Sequence, residues 1–213
     1  MAHSGTARDR RGSPTRPANP PSLERVTLIA PAPSTPVPFE TATSELAHFR
    51  WSPEVSVEPL PPPRAIAPYA YALEADLAEG SGRLILLFDP AGNPAWDGEF
   101  RLVTFAKAPI DGETVYDQWR AEVGWSWLID ALTGHEATFH APSGTVTVVS
   151  NTHFGGLDAQ PGHAEIELRA SWTPDLDEGR GLAAHVAAWQ DLLRMMAGLP
   201  PDTANVVTLV GRR

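Results

Sequence analysis

Cysteine is absent from the 213-residue sequence, and this absence excludes several kinds of chemistry. Without cysteine the chain can form no disulfide bond, no thiol nucleophile and no cysteine-ligated metal site. A lack of disulfides is typical of reducing compartments, and the N-terminal residues contain no apolar segment of the kind found in secretory signals. We therefore predict a cytoplasmic protein.

Long hydrophobic runs are absent too. No stretch of 18 or more apolar residues occurs, so the sequence predicts neither a transmembrane helix nor a membrane partner. Hydrophobic residues still make up 42% of the chain, which is enough to form a core. The length is that expected of one domain with extensions, or of two small domains at most.

Positive charge is scarce outside the N-terminus. Residues 1–25 contain five arginines and two acidic residues, a net charge of +3, which leaves −13 for the rest of a chain whose total is −10. A surface this acidic repels phosphate backbones, which argues against nucleic-acid binding by the folded part. The basic segment is the part that would contact RNA or an acidic partner, although a solvated leader is the simpler interpretation.

Composition divides the chain into two parts. Residues 1–38 are rich in proline, arginine and small residues, and they predict a disordered leader. Residues 39–210 are predicted to form a single α+β domain that begins with a short helix over residues 41–49. A stiff, extended connector is predicted over residues 58–68, because consecutive prolines cannot form a helix.

Six segments after the connector have the apolar patterns of β-strands. The first three are PYAYALEADL, RLILLFD and EFRLVTFAKA, and a helix from Thr114 to Gly134 is predicted after them. The next three are ATFHAP, GTVTVVSN and AEIELRASW, followed by a helix that Gly198 ends. The spacing of that helix predicts one apolar arc, formed by Leu182, Val186, Trp189, Leu193 and Met196, with Gln190, Asp191 and Arg194 outside it. This order suggests two β-β-β-α units, and the short turns favour an antiparallel sheet with helices packed on one face.

The helix that ends at Gly134 has two apolar stripes that point in roughly opposite directions, at about 100° per residue. The stripe suited to the sheet consists of Ala121, Trp125, Leu128 and Leu132, and the second stripe consists of Trp119, Val123 and Trp127. Another segment of the chain could cover the second stripe, or it could line a ligand pocket. Because tryptophan is enriched at binding hot spots, the second stripe is also a candidate interaction patch.

The segment HEATFH has the composition of the zinc-protease motif but not its spacing. That motif requires two histidines four residues apart on one helical face. His135 and His140 are five apart, and Gly134 ends the helix before them. We predict no metal site.

A second candidate site would combine polar side chains from separate loops. The segment NTHFGGLD contains His153 and Asp158 beside a glycine pair, a composition that suits a ligand-binding loop as well as a simple turn. A ligand pocket would form if this loop met Trp96, His135 and His140 in space. No catalytic residue and no cofactor are predicted, because the sequence contains no nucleophile elbow, phosphate-binding loop or dinucleotide fingerprint.

Three carboxylates, Asp175, Asp177 and Glu178, lie just before the last predicted helix. Negative side chains at a helix start stabilise its free amide groups. We therefore predict that these residues cap the helix rather than bind a metal.

Several segments closely resemble a known family over about residues 39–201. They are SPEVSVEPLPPPRAIAPYAYAL, GRLILLFDPAGNPAWDGEFRLVTFAKA, EVGWSWLIDAL, FGGL, AEIELRASWTP and HVAAWQDLLRMMAGLPP. The family they resemble is an actinobacterial family of uncharacterised proteins, a domain of unknown function. The resemblance implies a single compact cytoplasmic domain, and it implies no activity, cofactor or catalytic residue.

Two functions remain open from the sequence. The first is a non-enzymatic protein-interaction or self-associating module that uses the aromatic helix face, with another protein or a second copy of the chain as its partner. The alternative is a small-ligand-binding domain or an enzyme with a His/Asp-lined pocket.

Overall fold

A computed structural model describes residues 34–110, 120–159 and 162–200. Over these residues the chain forms six β-strands and three α-helices, and a 3-10 turn covers Gly155–Leu157. In chain order the elements are α1 (Val37–His48), β1 (Ser56–Leu60), β2 (Tyr69–Leu77), β3 (Gly80–Asn93), β4 (Gly98–Pro109), α2 (Arg120–Gly134), β5 (Phe139–Asn151), β6 (His163–Pro174) and α3 (Leu182–Met196).

The strands form one sheet in the order β1-β2-β3-β4-β6-β5, and each neighbouring pair is antiparallel. The predicted α+β class and the antiparallel sheet are therefore confirmed. The helical connection after β4 carries the chain past the position of β6 to the edge of the sheet, where β5 begins. The chain then turns back, and β6 fills the place between β5 and β4.

Helices cover one face of the sheet. On β4 the side chains of alternate residues from Phe100 to Ala108 are buried towards the helices, as the two-residue period of a strand requires. Helix α3 lies over the central strands, where the indole Nε1 of Trp189 donates a hydrogen bond of 2.8 Å to Thr104 Oγ1. Helices α1 and α2 each pack against α3. The opposite side of the sheet, here called the open face, has no helix packed on it among the described residues.

The predicted apolar arc of α3 is confirmed. Its members Leu182, Val186, Trp189, Leu193 and Met196 are all buried. Gln190 and Asp191 were expected outside this arc, yet both are buried because α3 has neighbours on three sides. Gln190 Oε1 accepts a hydrogen bond from the Ser52 amide, and Asp191 accepts one from His135.

Two features differ from the sequence-based expectation. Residues 56–60 of the proline-rich region form β1, because Pro59 lies on an edge strand, where a missing N–H is tolerated. In the second half of the chain, ATFHAP and GTVTVVSN form the single strand β5, with a register shift between His140 and Ser143. The second β-β-β-α unit therefore has two strands, and the two units are not equivalent.

The predicted leader, residues 1–38, falls outside the described residues except for its last five. Its final two residues already belong to α1, which begins at Val37. The predicted helix start at Thr114 is likewise outside the described ranges. Among the described residues, no helix is both long and apolar enough to cross a membrane.

Candidate functional site

Helix α2 lies above the edge strand β5. A Cβ atom added at Gly124 would lie 3.2 Å from Val146 Cγ1, so the helix backbone approaches the strand closely at this point. At the next residue of the helix, the indole of Trp125 packs on Gly144, where an added Cβ would lie 2.8 Å from the ring. Trp125 is thus half-buried against the sheet, as its stripe predicts.

The second stripe of α2 is neither fully covered nor fully exposed. Trp127 is half-buried and packs against the core. Val123 is 42% exposed, and Trp119 lies outside the described residues. Ala121, expected in the sheet-facing stripe, is exposed. Leu128 and Leu132 of that stripe are fully buried.

Among the described residues, the outer edge of β5 is the longest edge of the sheet without a neighbouring strand. Among the described strands, β5 pairs with β6 alone. Residues 143–151 contain no charged side chain, and five of these nine residues, at positions 145–149, are Val or Thr. Natural edge strands usually carry lysine, proline or an inward charge that prevents pairing with another chain. The only proline of β5 is Pro142, which lies in its irregular part.

His140, near the start of β5, joins three segments of the chain. Its Nδ1 is 2.7 Å from Asp175 Oδ1, and its Nε2 is 2.8 Å from the carbonyl oxygen of Asp97. An ionised carboxylate and a carbonyl oxygen only accept, so both ring nitrogens donate when both bonds are made, as in imidazolium. The hydrogen bond to the Asp97 carbonyl is the main reason that the pKa of His140 is raised, and Asp175 adds to it.

A cavity of about 300 Å³ adjoins His140. Its lining includes Glu99, Phe100, Asp175 and Glu178. Because His140 and Asp175 line it, this cavity is the feature of the described structure that most resembles the predicted His/Asp-lined pocket.

The five predicted pocket residues do not meet at one place. Trp96 lies near His140, since the Trp96 carbonyl accepts a hydrogen bond from Thr173, which is paired with His140 in the sheet. His153 lies just beyond the far end of β5, and a 13-residue strand places the two ends roughly 40 Å apart. His135 instead bonds Asp191 of α3 at 2.7 Å. Asp158 follows the exposed 3-10 turn.

The expected capping by Asp175, Asp177 and Glu178 is wrong. No side chain within α3 or just before it caps that helix. Asp175 binds His140, and Asp177 lies 3.3 Å from the guanidinium of Arg180. The amides of Gly181 and Ala183 donate instead to the carboxylate of Glu45 on α1, at 3.1 and 2.8 Å. The cap comes from a residue 136 positions earlier in the chain, which local sequence gives no means of finding.

Two further residues escaped the sequence analysis. His185 is buried, its Nδ1 accepts the indole N–H of Trp172 at 3.2 Å, and burial lowers its pKa to about 4. Arg101 is also buried, on the open face, and burial lowers its pKa. The alternation of β4 indicated that Arg101 faces away from the helices, but its burial depends on neighbouring strands.

No group of three or more His, Cys, Asp or Glu side chains in the described ranges is placed to hold a metal ion.

These features define an α+β protein with one helix-covered sheet face and a histidine bound by two loops. In the part of the chain that the structure describes, it also has a sheet edge with no neighbouring strand and, over residues 143–151, no charged side chain. The chain belongs to the family described as "Protein of unknown function (DUF3000)", whose model matches residues 35–207. This match confirms that the chain belongs to a domain of unknown function. A search of curated proteins gave no match, and neither did a search of solved structures.

Proposed function

We propose that this domain is a non-enzymatic, cytoplasmic interaction module that self-associates through the side of the molecule formed by β5 and α2. The partner in this proposal is a second copy of the chain. The observation that carries it is the outer edge of β5, which has no neighbouring strand within the described ranges and no charged side chain at residues 143–151.

Charge favours this edge over other surfaces. The chain has a net charge of −10, so two copies repel each other and most contacts would bring acidic groups together. The edge of β5 is a place where two antiparallel copies meet without opposing like charges. Backbone hydrogen bonds between the two strands would supply affinity, as in other cases of strand addition to a sheet edge.

Symmetry brings α2 into the same contact. Two antiparallel copies of β5 are related by a two-fold axis perpendicular to the sheet, so their helices lie on the same side of a continuous sheet. Since α2 lies above β5, the two α2 helices become neighbours across the axis. Val123 and Trp127 of the predicted interaction patch belong to this helix, and Val123 is the exposed one of the two. Trp119, the third member of the patch, lies outside the described residues.

The test is a measurement of mass against concentration by sedimentation equilibrium. Thr147, an exposed residue on β5, is changed to Lys, which places two positive charges near each other in the paired edge. We expect the dimer dissociation constant of Thr147→Lys to rise at least about tenfold, because like charges juxtaposed in an interface cost several kcal/mol. Val123→Glu should weaken the dimer in the same direction.

A matched control is Ser56→Lys, which adds the same charge to an exposed position on the opposite edge strand, β1. It should leave the dimer unchanged. A wild-type chain that stays monomeric at all concentrations would contradict the proposal, and so would a dimer that Ser56→Lys and Thr147→Lys affect equally.

A further inference from the structure

The guanidinium of Arg101 is buried, and no acidic side chain of the described residues pairs with it. Its side chain is on the open face, and the residue is only 7% exposed. Nη1 donates to the Ala141 carbonyl and to Thr173 Oγ1, each at 2.9 Å, and Nη2 donates to Ser171 Oγ at 2.8 Å and Ser143 Oγ at 3.2 Å. All four acceptors are neutral. A buried charge is costly unless an opposite charge compensates it, and no ion pair of Arg101 occurs among the described residues.

The hydroxyl groups around Arg101 differ in whether their protons are already donated to another group. Thr173 accepts from Arg101 and donates to the Trp96 carbonyl, so its one hydroxyl proton is already used. The oxygens of Ser143 and Ser171 both accept from Nη2, and they lie 3.3 Å apart. One of these hydroxyls can donate to the other, but both cannot do so at once. At least one hydroxyl proton is therefore left to point away from the guanidinium.

Ser143 and Ser171 border a cavity on the open face with a volume of about 380 Å³. Arg169 also lines this cavity. The Arg169 side chain is 66% exposed, lies over the ring of Phe105 at 5.2 Å, and is 3.1 Å from Glu167. The cavity thus has a buried arginine behind its hydroxyl groups and an exposed arginine at its rim.

We infer that this cavity binds the oxyanion group of a small molecule. A hydroxyl of Ser143 or Ser171 donates to the oxyanion, Arg101 supplies positive charge from behind the hydroxyls, and Arg169 pairs with it at the rim. Hydrogen bonds to charged groups are stronger than those between neutral groups, so an oxyanion is the ligand that uses this donor best. The net charge of −10 disfavours a long polyanion, which points to a single carboxylate or phosphate group.

The experiment titrates the full chain with inorganic phosphate and, separately, with acetate, at constant ionic strength and with chloride as the reference. Backbone amide chemical shifts of Ser143, Gly144 and Ser171 report binding. We expect saturable shifts centred on these three residues. The double variant Ser143→Ala with Ser171→Ala should weaken binding at least about tenfold, because it removes the donors but keeps both arginines. Arg169→Gln should weaken it less.

Thr147→Ala is the matched control, since Thr147 is an exposed hydroxyl residue of β5 on the same face as Ser143, four positions beyond it. It should bind the anion as the wild type does. Saturation by phosphate alone assigns a phosphate group, saturation by acetate alone assigns a carboxylate, and saturation by both assigns an oxyanion of either kind. Unsaturable shifts with both anions, or a double serine variant that binds like the wild type, would overturn the inference and leave Arg101 as a clamp between β4 and β5.

Discussion

At the scale of single residues, two histidines respond to pH in opposite directions. Burial holds the pKa of His185 at about 4, below its ordinary 6.5, so the folded state binds this proton less readily than the unfolded state does. The pKa of His140 is raised, so its contribution to stability is fully present below pH 6.5 and is lost as the pH rises through the folded-state pKa. Sequence alone could not assign either direction, because one depends on burial and the other on hydrogen bonds from separate loops.

The pKa of His185 leads to a stability prediction. Its contribution is present above pH 6.5 and is lost as the pH falls from there through about 4. A difference of about 2.5 pH units corresponds to roughly 3 kcal/mol at full effect, since one unit is about 1.4 kcal/mol. Protonation also removes the acceptor of the Trp172 indole N–H.

Urea unfolding at several pH values checks this prediction in the wild type and in His185→Gln. The variant should be less stable at pH 7, because it disturbs a buried site, but should lose less stability than the wild type as the pH falls from 7 to 4.5. Equal losses in both proteins would show that protonation of His185 does not contribute.

At the scale of elements, the N-terminus of α3 depends on α1. Glu45 accepts hydrogen bonds from the amides of Gly181 and Ala183, and its negative charge lies at the positive end of the helix dipole. Helix α1 therefore stabilises the start of α3, although it begins next to a proline-rich segment. From sequence, the acidic residues just before α3 were the better candidates for its cap, but the cap is made by Glu45 of α1.

Removal of this cap should destabilise the domain. Glu45→Ala is expected to lower the free energy of unfolding by about 1–2 kcal/mol, the usual effect of losing a helix N-cap or a charged hydrogen bond. Thermal or urea unfolding measures the change. Glu40→Ala is the control, because Glu40 is an exposed glutamate of the same helix. A loss of stability that is the same in both variants would mean that the contact with α3 contributes nothing.

The elements also show which patterns could be interpreted from sequence. The two-residue period of β6 and the arc of α3 predicted their buried faces correctly, because a single periodic face packs on a single core. For β5 the pattern was misleading, since Ala141 and Pro142 interrupt it while the strand continues beyond them. Ala141 has a φ of 47°, in the left-handed region, and sequence does not predict this conformation for an alanine.

At the scale of the whole molecule, net charge should control self-association. Two copies with a charge of −10 each repel one another, and the exposed Glu122 and Asp130 of α2 add to this repulsion near the proposed contact. Salt screens such repulsion, and the Debye length falls from roughly 14 Å to roughly 4 Å between about 0.05 M and about 0.5 M.

We therefore expect the dimer dissociation constant to fall as sodium chloride is raised over this range. Sedimentation equilibrium at each salt concentration gives the value. A dimer that weakens with salt would indicate that ion pairs, rather than an uncharged edge, hold the two copies together.

The sequence by itself determined the fold class, the positions of most strands, the buried face of α3 and the absence of cysteine chemistry. These properties follow from composition and from the local periodicity of each segment, which do not depend on the other segments that pack against it. Only the tertiary structure decided that β5 is an edge strand, that Glu45 caps α3, and that Arg101 is buried beside Ser143 and Ser171. Each of these depends on which distant segments lie side by side, and strand order in a sheet is set by the packing of the whole chain rather than by any one segment.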